Sequence, residues 1–175
     1  MRRLTVCLVF AALLAAASCK RRDRVVVEAT QEEGTVLASV VHVADPRTAT
    51  QLARGFYDVE GNAWRWTAGK FAVTLRPPAG AAQKGATLVF KFAFPEAVFT
   101  KTGPVTLAAN VGGTALAPET FAKPGEQNYT RDVPATVLGK DAVVLEFSLD
   151  KALPPSAADQ RELGVIATSI GFEAK

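Results

Sequence analysis

The chain is poor in the residues that catalysis and cross-linking draw on. Its 175 residues include two cysteines, one histidine, one methionine, two tyrosines and two tryptophans. A histidine-based triad would have to run through His42 alone, and a lone histidine lacks the ligand clustering that zinc sites show. His42 lies inside the apolar run SVVHVAD, where a satisfied, partly buried imidazole is expected. Asp159 and Glu162 have only the outline of a glycosidase couple, since nothing in the sequence sets their separation. We therefore read a non-enzyme and expect no cofactor and no metal. Charge of either sign is also scarce in excess, with 20 basic against 17 acidic residues. Nucleic acid, which requires a concentrated basic footprint, is excluded as a partner on that ground.

The N-terminus is where the sequence speaks most clearly. MRRLTVCLVFAALLAAASC places two arginines before a mostly apolar run from Leu4 to Ser18, followed by Cys19. This is the layout of a secretory signal, and it is shorter than the roughly 20 apolar residues of a membrane span. Ala16-Ala17-Ser18-Cys19 resembles a bacterial lipobox, in which small side chains let the signal be cut before a cysteine that receives lipid. Cys7 leaves with the signal, so Cys19 has no partner for a disulfide and acylation gives it a role. The expected organisation is a signal peptide over 1–18, a lipidated Cys19 with a flexible tether over 19–34, and one domain over 35–175. Loss of Arg2 and Arg3 takes the formal net charge from +3 to +1. Lys20, Arg21 and Arg22 remain beside the lipid, where they can meet anionic head groups. The expected location is the bacterial cell envelope, on the periplasmic face of the outer membrane or the cell surface.

Downstream, Asp45-Pro46 pairs a capping carboxylate with proline at the first helical position, and Gly55 supplies a stop, so one helix is expected over Pro46 to Arg54. After it the pattern has period two. Phe71, Val73 and Leu75 alternate with Lys70, Thr74 and Arg76. Leu88, Phe90, Phe92 and Phe94 line one face, and Val105 to Val111 runs through Gly112-Gly113 towards Leu116. Val143, Leu145, Phe147 and Leu149 alternate with Glu146, Ser148 and Asp150, and residues 163 to 172 read as a closing buried strand with an irregularity at Gly171. Short strands separated by Pro and Gly turns predict an all-β fold, an antiparallel β-sandwich with one short helix. Its core should include Leu88, Phe90, Phe92, Val143, Leu145 and Phe147.

GFYDVEGNAWRWT, FAVTLRPP, PVTLAANVGGTAL and DQRELGV together resemble the jelly-roll sandwich modules found beside some bacterial glycosyltransferases. The chain as a whole is similar to secreted or lipid-anchored proteins of soil bacteria such as acidobacteria. The resemblance covers roughly residues 55 to 173 and implies a jelly-roll-like sandwich.

The segment NAWRWTAGKF holds both tryptophans. On an extended segment Trp64 and Trp66 share one face and Arg65 takes the other. Burying an indole removes about 200 Å² from water at about 25 cal/mol per Å², which favours the core for the pair and leaves Arg65 exposed. The alternatives are an exposed stacking platform, or one ring in and one out. Arg161, between Asp159 and Glu162, reads first as a clamp that pins a loop to the end of the sandwich. The ligand-binding residues to test are Tyr57, Arg65, Trp66, Asp159 and Arg161, because guanidinium and carboxylate groups can hold paired sugar hydroxyls while an aromatic ring covers an apolar sugar face. The function expected is a non-catalytic, lipid-anchored binding module with glycan as the first ligand; the rival is a structural lipoprotein contacting another envelope protein.

Overall fold

A computed structural model describes residues 36–175. Cys19, the signal segment and the tether lie outside the described residues. Nine strands form one antiparallel sheet that folds back on itself: β1 (Val40–His42), β2 (Arg54–Glu60), β3 (Trp64–Leu75), β4 (Ala86–Phe94), β5 (Val105–Val111), β6 (Thr114–Phe121), β7 (Gly125–Val133), β8 (Val143–Leu149) and β9 (Ile166–Ala174). β3 joins the two layers. Its second half, from Lys70 to Leu75, pairs with β8, which continues through β5 to β6. At its start, Arg65 and Trp66 pair with Ala167 and Ile166 of β9, which leads through β4 to β7. The expected all-β antiparallel sandwich is the architecture found.

The core forms because alternate residues of each layer are apolar and face one another. Phe71 of β3 stacks on Phe147 of β8 at 5.0 Å, and both meet Phe90 of the opposite layer, at 5.6 and 5.2 Å. Leu88, Phe90, Phe92, Val143, Leu145 and Phe147 are all buried, as the alternation predicts. Where the chain passes from one layer to the other between β6 and β7, side chains close the gap. The Tyr129 hydroxyl and Arg131 Nε both donate to the Ala117 carbonyl, at 2.8 and 2.7 Å, and Arg131 pairs with Glu119 at 2.9 Å. Burial pushes the Tyr129 phenol above its ordinary pKa, against the opposing pull of Arg131.

The helix expected from Pro46 to Arg54 is instead a single 3₁₀ segment, Pro46–Gln51. Asp45 caps it as anticipated, its carboxylate accepting from the Arg47 backbone N–H at 3.0 Å. The segment ends early because Gln51 turns its amide into the sandwich, accepting from Ala38 N and donating to the carbonyls of Ala38 and Thr74. Gly55 belongs to β2 and is not a helix stop: at φ +73° it lies so close to β3 that a Cβ would fall 2.3 Å from the Lys70 carbonyl oxygen. Two short α-helices were not expected, α1 (Ala81–Lys84) in the RPPAGAAQKG loop and α2 (Glu96–Thr102). The irregularity expected at Gly171 occurs three residues earlier. The register of β9 slips between its pairings with Lys91 and Phe92, leaving Thr168 unpaired, whereas Gly171 sits regularly between Val40 and Val89.

Candidate functional site

β3 determines which side chains reach the surface. Thr67, Gly69, Phe71, Val73 and Leu75 are buried, so the odd positions of the strand face the core. Arg65 belongs to that row, opposite buried Ala167, and Trp64 and Trp66 belong to the other. The core position expected for the tryptophans is therefore not found, and Arg65 is not the exposed member expected: all three are partly buried, the indoles outside the core. Both indoles are half-buried and stand outside the phenylalanine core, in an edge-to-face pair with centroids 6.2 Å apart and planes at 85°. Arg65 closes the end of the sandwich, Nε donating to the Val43 carbonyl at 2.7 Å and Nη1 to the Tyr57 carbonyl at 2.8 Å. An arginine on the inward row is tolerated because those two backbone oxygens take up its donors.

The β2–β3 hairpin holds the indoles in place. Gly61 and Asn62 both adopt positive φ, +58° and +55°, in the two-residue turn whose twist suits a tight hairpin. Trp64 leans over it, with Nε1 3.2 Å from where a Cβ on Gly61 would stand. Glu60 is the cross-strand partner of Trp64. It receives Arg161 Nη1 at 2.7 Å, while Arg161 Nε and Nη2 reach Asp159 at 3.0 and 2.8 Å. The guanidinium carbon lies 5.3 Å from the centroid of the Tyr57 ring. Charge-assisted hydrogen bonding to Arg161 holds the Asp159 carboxyl below its usual range, and the same bonds raise the Arg161 pKa further. Glu162 accepts the backbone N–H of Gly69 at 2.9 Å, and Leu163 exchanges backbone bonds with Leu153. DQREL thus clamps its loop onto β2 and β3, as the first reading of Arg161 anticipated.

The structure accordingly brings Tyr57, Asp159 and Arg161 together, with Glu60 as the member that sequence reasoning missed. Arg65 touches this group only through the Tyr57 carbonyl. Trp66 faces in another direction. Register places it beside Ile166, and Ile166 beside Ala93, whose partner on β7 is Glu126. Ile166 and Ala93 line an open trough of about 430 Å³ together with Pro95, Glu96, Pro124 and Glu126. At about 4.8 Å per strand, the row from Trp66 to Glu126 is about 14 Å long. His42 is exposed on β1, contrary to the partly buried position expected, because only its neighbours Val41 and Val43 point inward. Among the described residues no three His, Cys, Asp or Glu side chains converge as metal ligands would.

No family model and no curated protein sequence matches the chain. Similar solved structures include the CBM36-1 domain of a multidomain xylanase from the hindgut metagenome of Trinervitermes trinervoides, at 7% identity and a TM-score of 0.41, covering 78% of this chain and 96% of that one. Another is TmCBM27, a carbohydrate-binding module described for specific mannan recognition, at 11% identity and a TM-score of 0.41, covering 80% of this chain and 98% of that one. A third, described under CBM4 structure and function, has 14% identity and a TM-score of 0.32 over 77% of this chain and 81% of that one. At these scores the likeness bears on neither the ligand nor the site of this protein.

Proposed function

We propose that the domain is a non-catalytic carbohydrate-binding module, held to the bacterial envelope by lipid on Cys19. The observation that carries this reading is the indole pair. Two tryptophans kept only partly buried, with Trp66 paired in register to Ile166 of the trough, forgo part of the gain from burial, about 25 cal/mol per Å² of apolar surface. Their geometry suits a sugar ring: an indole face covers the apolar C–H face, and carboxylates accept from the hydroxyls around it. Trp66 supplies the face. Glu96 and Glu126 supply acceptors along the trough, and Ile166 and Ala93 give an apolar lining on which a chain of rings can lie. The Tyr57–Arg161–Asp159–Glu60 group flanks the other indole, Trp64, and fixes the hairpin from which both tryptophans project.

The test is a glycan array followed by calorimetry on the protein as cells produce it, purified in detergent, with Trp66→Ala and Trp64→Ala beside the wild type. A neutral oligosaccharide should bind, and Trp66→Ala should weaken it by about 5- to 150-fold, the equivalent of about 1–3 kcal/mol for a ring stacked on an aromatic side chain. No binding to any glycan, or full binding by Trp66→Ala, overturns the reading; in the first case the surface belongs to a protein partner. Anchoring is tested separately by fractionating cells that make wild type or Cys19→Ser. The variant should leave the membrane fraction, and equal sedimentation of the two would rule out lipid as the anchor.

A further inference from the structure

The outward row of β3 does not end at the indoles. Past Ala68 it reaches Lys70, which opens a second groove on the other layer, lined by Arg54, Lys70, Asn110, Glu146 and Ser148 around Ala108. Register fixes how these groups converge. Lys70, Ser148 and Ala108 lie side by side across β3, β8 and β5. One step along, Ala72, Glu146, Asn110 and Ala115 form the next row, with Arg54 opposite Ala72 on β2. Rows two residues apart are separated by about 7 Å, and four strand spacings span about 19 Å. The groove encloses about 350 Å³.

Its hydrogen-bonding capacity is unbalanced. Arg54 Nη2 already donates to Glu146 Oε1, so that pair is close to neutral. The Asn110 carbonyl oxygen accepts the Gly113 N–H at 2.8 Å, which fixes the side-chain amide and turns its NH₂ into a free donor. Lys70 is exposed, and among the described residues no carboxylate lies within 4.0 Å of its ammonium. The groove therefore offers one uncompensated positive charge, an amide donor and a hydroxyl, with the free oxygen of Glu146 as its main acceptor. A neutral sugar would leave the ammonium unmatched. A ligand that carries both hydroxyls and a carboxylate matches every group.

We infer that this groove is a second binding site, distinct from the tryptophan trough, for a hydroxylated carboxylate such as a uronate residue of an acidic polysaccharide. Lys70 takes the carboxylate, Asn110 and Ser148 donate to ring hydroxyls, and Glu146, held by Arg54, accepts from one of them. The small floor at Ala108 lets the ring sit against the sheet.

Calorimetry with oligogalacturonate and with its carboxyl-reduced, neutral counterpart tests this at low salt, using the protein in detergent and the variants Lys70→Gln, Asn110→Ala and Trp66→Ala. The acidic oligosaccharide should bind about tenfold more tightly than the neutral one, the scale of a single charged hydrogen bond. Lys70→Gln should abolish that preference, Asn110→Ala should reduce binding of both, and Trp66→Ala should leave the preference intact. Lys70 is exposed and unpaired, so Lys70→Gln should keep its denaturation midpoint and remain informative. Equal affinity for the two oligosaccharides, no binding of the acidic one, or a preference unaffected by Lys70→Gln overturns the inference. Acid-selective binding lost in Trp66→Ala but kept in Lys70→Gln would assign the carboxylate to the trough, rejecting this groove while supporting the tryptophan site. Loss of neutral-glycan binding alone would count against the trough and leave the groove standing.

Discussion

Two aromatic groups on one strand, with Phe71 five positions from Trp66 and seven from Trp64, have opposite fates. Phe71 stacks with Phe147 and Phe90 at the centre of the core, and Trp64 and Trp66 stand half-exposed on the outer face. The larger ring is the one left out. Burial along β3 shows this: Thr67, Gly69, Phe71, Val73 and Leu75 are buried and Trp64 and Trp66 fall on the alternate row, even though the pairing of β3 with β2 shifts register between Thr67 and Ala72. Area alone ranks the indoles for burial, but parity overrides area.

The largest effect expected from this contrast is in the core. Phe90→Ala or Phe147→Ala should cost about 3–5 kcal/mol in denaturant unfolding, because each leaves a cavity that the surrounding rings cannot fill. Arg65→Ala should cost about 2 kcal/mol, the loss of two charged hydrogen bonds to the Val43 and Tyr57 carbonyls at the half-buried end of the sandwich. Arg65→Lys should recover only part of it, since a single ammonium replaces a fork. If the tryptophans were core and Arg65 were surface, the order would reverse, and Arg65→Ala would be silent. Trp66→Ala should cost about 2 kcal/mol or less, since the ring is only partly buried and stands outside the core.

Much of the phenylalanine half of this comparison was legible in advance. Leu88-Phe90-Phe92 and Val143-Leu145-Phe147 hold period two around outward Lys91 and Glu146, despite the apolar Val89 and Val144 between them, and their burial follows from it. The tryptophan half differs from expectation because Trp64–Leu75 is one continuous strand, whereas the WRWT and FAVTL segments read separately leave their relative parity open. Counted as one strand, the parity of Phe71, Val73 and Leu75 carries Trp64 and Trp66 to the outside and Arg65 to the inside. That was the available signal. Other features had none. β7, GEQNYTRDV, is polar at all but a few positions because only Tyr129 and Val133 face the core. Glu60 joined the Arg161 clamp from a distance of 101 residues, a contact that only strand pairing creates. The groove at Lys70 likewise collects its groups from four strands.

The smallest effect expected is in acid, and it concerns the clamp beside the indoles. The Asp159 carboxyl lies below its ordinary range because of Arg161, so its contribution to stability is complete above that range and is lost as pH falls through the lowered value. The Asp45 carboxyl, held down to about 2 by its bonds to Arg47, behaves in the same way between about pH 4 and about pH 2. Asp159→Asn should flatten the acid limb of the unfolding profile and move the tryptophan signal before the global transition. An unchanged acid limb would mean that the clamp does not hold the hairpin.

The most direct measurement of the central claim uses the fact that Trp64 and Trp66 are the only tryptophans in the chain. Intrinsic fluorescence therefore reports on the proposed platform and nothing else. The native protein should be readily quenched by acrylamide, and titration with the neutral glycan identified on the array should shift the emission and protect it from quenching, saturating at the calorimetric affinity. Indoles that resist quenching in the free protein, or a glycan that binds by calorimetry without changing their fluorescence, would contradict it.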